Sequence, residues 1–317
     1  MRFLPVRERS ASVLASLPDL LCARARATNE PWLSASVLSD RAVLLGASQR
    51  AGRVLDLEAC ARDGVAVVRR ATAGTAIHAE PGTLAFTLAM PRVDTLVADA
   101  TLRTLINRNV RGFLTGITRT GALAQYFGRE WIAVQHRPAA LLGTHHATDG
   151  VVAMDVYVAN EATLALPAHL ASPLERATDR WRGKSPIALR EILARGKSAG
   201  QLAQRIAEGF ADRVGHALES ESEEPDVTPA GRVTEPDDPV PPGLRAGPPV
   251  ACSIGHVEAA WSPDALWLGG DALAPRHVLD AIADFVRASD AAPDVADGAI
   301  EGATVEDLVR AARAARE

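Results

Sequence analysis

The run "RRATAGTAIH", residues 69 to 78, places two arginines before six small residues, an isoleucine and a histidine. Small side chains let a ligand approach main-chain N–H groups, and a glycine adopts backbone angles closed to other residues. A guanidinium at the mouth adds a planar fork of donors for a carboxylate or phosphate. Arg69, Arg70, Thr72, Ala73, Gly74 and Thr75 are therefore candidates for holding an anionic ligand. The same composition also suits a tight connection between two strands, and His78 suits either the end of a ligand loop or a ring tied to backbone. Of 34 basic residues only Lys184 and Lys197 are lysines, so chemistry that needs an ammonium has two candidates. Lys184 sits in "GKS" without the upstream glycine of a phosphate-binding P-loop. His145 and His146 are adjacent, and neighbours on a strand point to opposite faces, so no metal site is expected there. Cys22, Cys60 and Cys252 are far apart and form no C-x-x-C pair. Neither a disulfide framework nor a cysteine zinc site follows, Cys60 reads as a buried thiol, and the compartment reads as reducing.

These residues must be positioned by short β-rich runs: "RAVLLGAS" (41–48), "VAVVRRA" (65–71), "GTLAFTLAMP" (82–91), "REWIAVQHRP" (129–138), "AALLGTHH" (139–146) and "GVVAMDVYVAN" (150–160). Valine content and alternation mark several of them as buried strands. Helical spacing marks 56–64, 93–114 and 198–218, the last behind a Ser198 cap. Strands with segregated helices predict an α+β fold with a mixed sheet rather than a doubly wound parallel one. From 219 to 249 the chain holds eight of its 20 prolines and eight acidic residues. This predicts a disordered, acidic, Pro-rich linker. It divides a body, 1–218, from a small C-terminal module, 250–317, that reads strand, strand, helix, helix.

With 47% hydrophobic and 23% charged residues the chain is of ordinary globular composition. A net charge of -5 gives no polyelectrolyte field for nucleic acid. The N-terminal residues lack an apolar run of signal or membrane length. A cytoplasmic protein is expected, with no nucleic-acid or membrane partner.

The order of motifs resembles the lipoate-protein ligase branch of the biotin and lipoate ligase superfamily. Arg62-Asp63-Gly64 precede a strand, Arg69-Arg70 precede the small-residue loop, and His78, Gly82, Leu84 and Phe86 follow in register. "VLLGASQ" (43–49), "ALAQYFGREWIAV" (122–134) and "RGKSPIALREIL" (182–193) are similar to further segments of that family, and "GHVEAAWSPDALWLGGDALAP" (255–275) to its accessory domain. The resemblance implies a biotin/lipoate-ligase-like mixed sheet with an accessory α/β module. It implies transfer of a lipoyl or octanoyl group to a lysine of a lipoyl domain, from an acyl-adenylate or an acyl-carrier protein, with ATP and Mg2+ used if the protein is a ligase. It places Arg69, Arg70, Thr72, Ala73, Gly74, Thr75, His78 and Gly82 around the acyl or adenylate group.

One departure stands out. Where the family has a lysine that contacts the acyl carboxyl and the adenylate, this chain has Pro138, after Arg137. Arg137 or Lys184 is then expected to supply the catalytic cation. The alternative is a homologue that binds a lipoate-like ligand, an adenylate or a carrier domain without transfer. Biotin-ligase-like activity fits the loop less well. Trp181 suits either a pocket wall or a loop anchor, and Asp271 in "GGD" is expected to make an Asx-type turn.

Overall fold

The computed structural model describes residues 1–194, 196–222, 226–233, 239–289 and 292–317. Its chain opens with β1 (Arg2–Arg9), α1 (Ala11–Thr28) and β2 (Trp32–Leu38), a crossover that leaves β1 and β2 parallel. The Ser10 hydroxyl caps α1 at Val13 N, and Asn29 ends it in the left-handed region at φ 53°. Next come β3 (Ala42–Leu45), α2 (Ala51–Val54), α3 (Leu57–Arg62), β4 (Ala66–Arg69) and β5 (Ile77–Ala79). They form a small sheet in the order β4-β3-β5.

β6 (Leu84–Met90), α4 (Leu105–Thr120), β7 (Ala124–Tyr126), β8 (Trp131–Val134), β9 (Arg137–His146) and β10 (Val152–Val158) follow, then α5 (Pro173–Ala177), α6 (Ala199–Val214) and β11 (Glu219–Ser220). The main sheet runs β11-β1-β2-β6-β10-β9-β8-β7, parallel at the β11-β1-β2 side and antiparallel from β2 to β7. This is the α+β mixed sheet expected from the sequence.

Both faces of its centre are covered, because β2, β6 and β10 are buried along their whole length. On one face α4 and α6 pack closely, and Phe113 lies 5.6 Å from Phe86 and 4.6 Å from Phe210, ring to ring. Small residues allow that approach: a Cβ at Gly116 would stand 2.2 Å from the Ile206 carbonyl oxygen. On the other face lie α1 and the small sheet, joined in one apolar cluster through Leu14, Leu21, Leu44, Val68 and Ile77.

The C-terminal module contains β12 (Arg245–Ala246), β13 (Val250–Cys252), β14 (Gly255–Trp261), β15 (Leu266–Gly270), α7 (Arg276–Ser289) and α8 (Val305–Arg316) around its own core, which includes Leu268, Leu279, Ile282 and Leu308. It lies against the loop after β3. Gly270 N donates to Ser48 O at 2.8 Å, and Glu258 faces Arg50 and Arg53 at 3.6 and 3.4 Å. Within the expected linker, Val233 N donates to Val67 O at 2.8 Å and Ala230 N to Ser12 O at 2.9 Å, so residues 226–233 follow the body. Residues 223–225 and 234–238 of that stretch lie outside the described residues.

Candidate functional site

The small-residue run leaves β4 at Arg69 and folds down onto β9. Ala73 and Thr144 exchange backbone hydrogen bonds at 2.8 and 3.2 Å, and Ala47 N donates to Thr72 O at 3.0 Å. Gly74 adopts φ +124°, and a Cβ at Gly46 would stand 2.0 Å from its carbonyl oxygen. The two glycines therefore permit a backbone approach that no other residue pair tolerates. Two loop N–H groups are engaged within the protein, Ala71 with Ala15 O and Ala73 with Thr144 O.

Arg70 turns inward at the base of this loop and is 1% exposed. Its Nη2 donates to Thr75 O at 2.7 Å, closing the loop on itself, and its guanidinium stands 5.8 Å from the centre of the Tyr157 ring. Nε and Nη1 are buried without a hydrogen-bond acceptor. Burial holds this guanidinium below its usual range, against the pull of Tyr157 and Asp155. Gly143 on β9 makes the room, since a Cβ there would lie 2.4 Å from Arg70 Nη1 and 2.7 Å from Thr72 Oγ1.

Asp155 on β10 completes the group. It is fully buried and accepts from Thr72 Oγ1 at 2.8 Å and Thr87 Oγ1 at 2.6 Å. Burial pushes its carboxyl up to about 6, even with those hydroxyls and Arg70 favouring the charged form. Arg70, Thr72, Ala73, Gly74 and Thr75 lie together, with two residues absent from the sequence-based candidates, Gly143 and Asp155, beside them. The signals were a lone acid within "VVAMDVYV" and a glycine within the apolar β9 run.

The other expected residues stand elsewhere. Arg69 Nη1 donates to the carbonyls of Gly46 and Gln49, bracing the β3 turn. His78 is buried in β5, its Nε2 is 3.6 Å from Glu80, and burial lowers its proton affinity. Gly82, at φ +89°, turns the chain into β6 against Glu161. It lies five residues before Thr87, roughly 16 Å along an extended strand.

Arg137 opens β9, and its guanidinium donates to Ser185 O at 2.9 Å and Pro186 O at 2.6 Å and faces Glu191 at 3.4 Å. Lys184 Nζ donates to His136 O at 3.3 Å, at the tip of the same hairpin. Six residues of β9 separate Arg137 from Gly143, about 20 Å. The structure brings these two cations to each other and not to the loop.

Trp181 packs on Trp131, centroids 5.9 Å apart, and also lines a cavity of about 390 Å3 with Ala76, Leu164 and Thr178. Asp271 accepts from His256 N, Gln49 Nε2 and Arg180 Nη2, so in place of a local turn it ties module to body. His146 meets His277 edge-on at 5.2 Å. Among the described residues no group of three His, Cys, Asp or Glu is placed to hold a metal ion. Burial pushes the thiols of Cys22, Cys60 and Cys252 up to about 12, 11 and 11, the reverse of what a cysteine nucleophile needs.

Comparison with known proteins agrees with this architecture. Residues 13–125 match the model of the lipoyl protein ligase A/B catalytic domain family. No curated protein matches the chain in sequence. Among solved structures, a bipartite lipoate protein ligase studied with its E2 lipoyl domain, from Thermoplasma acidophilum, aligns at TM-score 0.57 and 13% identity, covering 70% of this chain and 89% of that one. A lipoate-protein ligase A bound with ATP aligns at 0.57 and 15%, over 70% and 89%. P. falciparum LipL1 in complex with lipoate aligns at 0.55 and 17%, over 69% and 65%. No helix among the described residues is long and apolar enough to cross a membrane. A segment that matches the lipoyl protein ligase A/B catalytic domain is thus set within a fold shared with lipoate protein ligases.

Proposed function

We propose that the protein is a lipoate-protein-ligase-like enzyme of the cytoplasm that transfers a lipoyl or octanoyl group to a lysine ε-amine of a lipoyl domain. The observation that carries this reading is Arg70, buried at the base of the small-residue loop with two N–H groups lacking an acceptor. A buried donor without an acceptor costs roughly 1 to 3 kcal/mol, more when it is charged. A carboxylate, or the phosphate of an adenylate, would satisfy it. Preorganised donors of this kind stabilise charge that develops during acyl transfer. The relatives in this fold include one bound with ATP, one with lipoate and one studied with its E2 lipoyl domain. ATP is accordingly the proposed co-substrate, with Mg2+ entering with the nucleotide.

In the reaction, an acyl carboxylate oxygen attacks the α-phosphorus of ATP and pyrophosphate leaves. The lysine amine then attacks the acyl carbonyl, a C–N bond forms, and the C–O bond to AMP breaks. Arg70 and the loop hold the acyl or adenylate group. Arg137 or Lys184 acts as the cation only if the ligand spans the roughly 20 Å between loop and hairpin, or the hairpin shifts toward it.

That separation, together with Pro138 in place of a lysine, favours a second reading: ligand or carrier-domain binding without transfer. Mass spectrometry of a lipoyl domain incubated with the protein, ATP-Mg and lipoate or octanoate decides between them. Transfer is expected as a mass gain that Arg70→Met abolishes, and loss of the gain in Arg137→Ala or Lys184→Ala would make that residue the catalytic cation. Stabilisation of the protein by the acid without any mass gain, from free acid or acyl-carrier protein, establishes the binding reading.

A further inference from the structure

At the seam between body and module, one wall is Gly128, Arg129 and Glu130, from the turn that leads into β8. The other is Ile254, Leu273 and Glu301, and between the walls is a cavity of about 80 Å3. Glu130 is the unusual member. Its residue is 1% exposed, and neither carboxylate oxygen has a hydrogen-bond donor. Arg129 Nε stands 3.5 Å from Oε2, and Arg180 and Arg182 attract the carboxylate from farther away, none of them donating a hydrogen bond to it. Glu301 faces the same space, held by backbone pairing with Leu273 at 2.9 and 3.1 Å. Burial, with Glu301 and Glu130 adding to it, pushes the Tyr126 phenol above the usual range. Burial raises Glu130, and it pushes Glu301 up to about 7.

Two acids around a small, half-open space, one without a donor, suit a cation that brings N–H groups. A primary ammonium has three donors and a compact head. A hard divalent ion takes six or more oxygens, or several waters beside its carboxylates. No group of three candidate ligands exists among the described residues. The location identifies the ammonium's source. Leu273 lines the cavity and also meets the loop, since a Cβ at Gly74 would lie 3.0 Å from its Cδ2. Leu142 joins the two places as well: its N–H donates to Glu130 O at 2.9 Å, and its carbonyl oxygen would be 3.1 Å from that same Cβ.

We propose that the Glu130–Glu301 cavity is the seat of the acceptor lysine, taking its ε-ammonium between the two carboxylates beside the small-residue loop. This rests on the acyl-transfer reading for the identity of the lysine, though not for the cation site itself. A proton passes from the ammonium nitrogen to a Glu301 carboxylate oxygen, and the electron pair stays on nitrogen, which leaves a neutral amine facing the loop.

The test is direct binding to the full chain. Nα-acetyl-lysine methylamide is titrated by saturation-transfer NMR or calorimetry, beside its ε-acetylated form and MgCl2. The lysine compound is expected to bind, the ε-acetylated form to fail, and Glu130→Gln or Glu301→Gln to lower affinity at least tenfold, with melting temperatures showing that both variants are folded. Absence of binding up to the solubility limit, equal binding by the variants or by the ε-acetylated compound, or displacement of the lysine compound by Mg2+ would each overturn the assignment. Lysine binding without acyl transfer removes the ligase reading and leaves this site. Transfer without Glu130-dependent lysine binding removes the site and leaves the ligase.

Discussion

Arg70 and Arg180 are both buried, and their surroundings are opposite. Arg180 is encased: it donates twice to Glu175, at 2.6 Å each, to Ile254 O at 3.0 Å, and to Asp271 at 3.4 Å. Burial alone would lower its guanidinium, yet Asp271 and Glu175 together hold it above the usual range. Arg70 has one carbonyl, the face of a tyrosine ring and two N–H groups without acceptors. A saturated buried arginine fastens parts together, and here it joins the 172–182 segment to the module. An unsaturated one, over a glycine that makes room for it, is the group on which the proposed ligand site rests.

The largest break in that contrast comes from Arg180→Ala. It leaves the half-buried Glu175 and the buried Asp271 without their common cation, a class of change that costs about 3 to 5 kcal/mol. For a chain of this size the melting temperature should fall by about 5 to 8 °C. Proteolytic cleavage in 219–249 should accelerate as the module loosens. An unchanged melting temperature would show that the network carries no net stability.

Asp155 gives the next effect, through pH. Its carboxyl is raised to about 6 in the folded protein, so between roughly pH 4 and 6 the folded state binds more protons than the unfolded one. Wild-type stability should therefore fall as pH rises through this window and level off above it, by an amount on the order of 2 to 3 kcal/mol. Asp155→Asn should remove this slope from a plot of melting temperature against pH. A slope that survives in the variant belongs to another group, Glu301 being the first to check.

Gly143→Ala should cost about 1 to 3 kcal/mol by overpacking, since the added carbon meets Arg70 Nη1 at 2.4 Å and Ala73 O at 3.0 Å. The loss should shrink in the Gly143→Ala, Arg70→Met double variant, whose thioether is flexible enough to move aside. Equal loss in both backgrounds would place the clash on the backbone of the loop and not on Arg70.

These effects also mark what was readable from the chain itself. Valine content or apolar alternation marks β4, β6 and β10, and the Ser198 cap marks α6, because period and capping are local properties. β1 and α1 went unread: Pro5 with its charged neighbours breaks the strand pattern, and Pro18 stands inside a helix that is held by packing against β6 and β10. The helix expected from 93 begins only at Leu105, after turns from 91 to 99. At the site, the loop residues were visible as a contiguous run. Gly143 and Asp155 come from strands about 70 and 85 positions away and carry no local signature. Arg137 and Lys184 show the converse. Their residue types suited catalysis, yet the β8–β9 hairpin sends them to the end of the sheet away from Gly143.

Arg70→Met is expected to move stability least and to sharpen the comparison most. Replacing a buried charge by an apolar side chain of similar length is often neutral or stabilising, because the desolvation cost disappears along with the interactions. What is lost inside the protein is one hydrogen bond to Thr75 O, worth about 1.5 to 3 kcal/mol for a charged donor, the contact with the Tyr157 ring and the attraction to Asp155, set against relief of two unsatisfied N–H groups and of the guanidinium's desolvation. The melting temperature should stay within about 3 °C of wild type, where Arg180→Ala falls by about 5 to 8 °C. Calorimetric binding of lipoate or of a non-hydrolysable acyl-adenylate should weaken by at least a hundredfold, the loss of a charge-assisted pair of hydrogen bonds. If Arg70→Met instead unfolds the chain and Arg180→Ala does not, the roles of the two arginines are exchanged, and the small-residue loop is a strut of the fold.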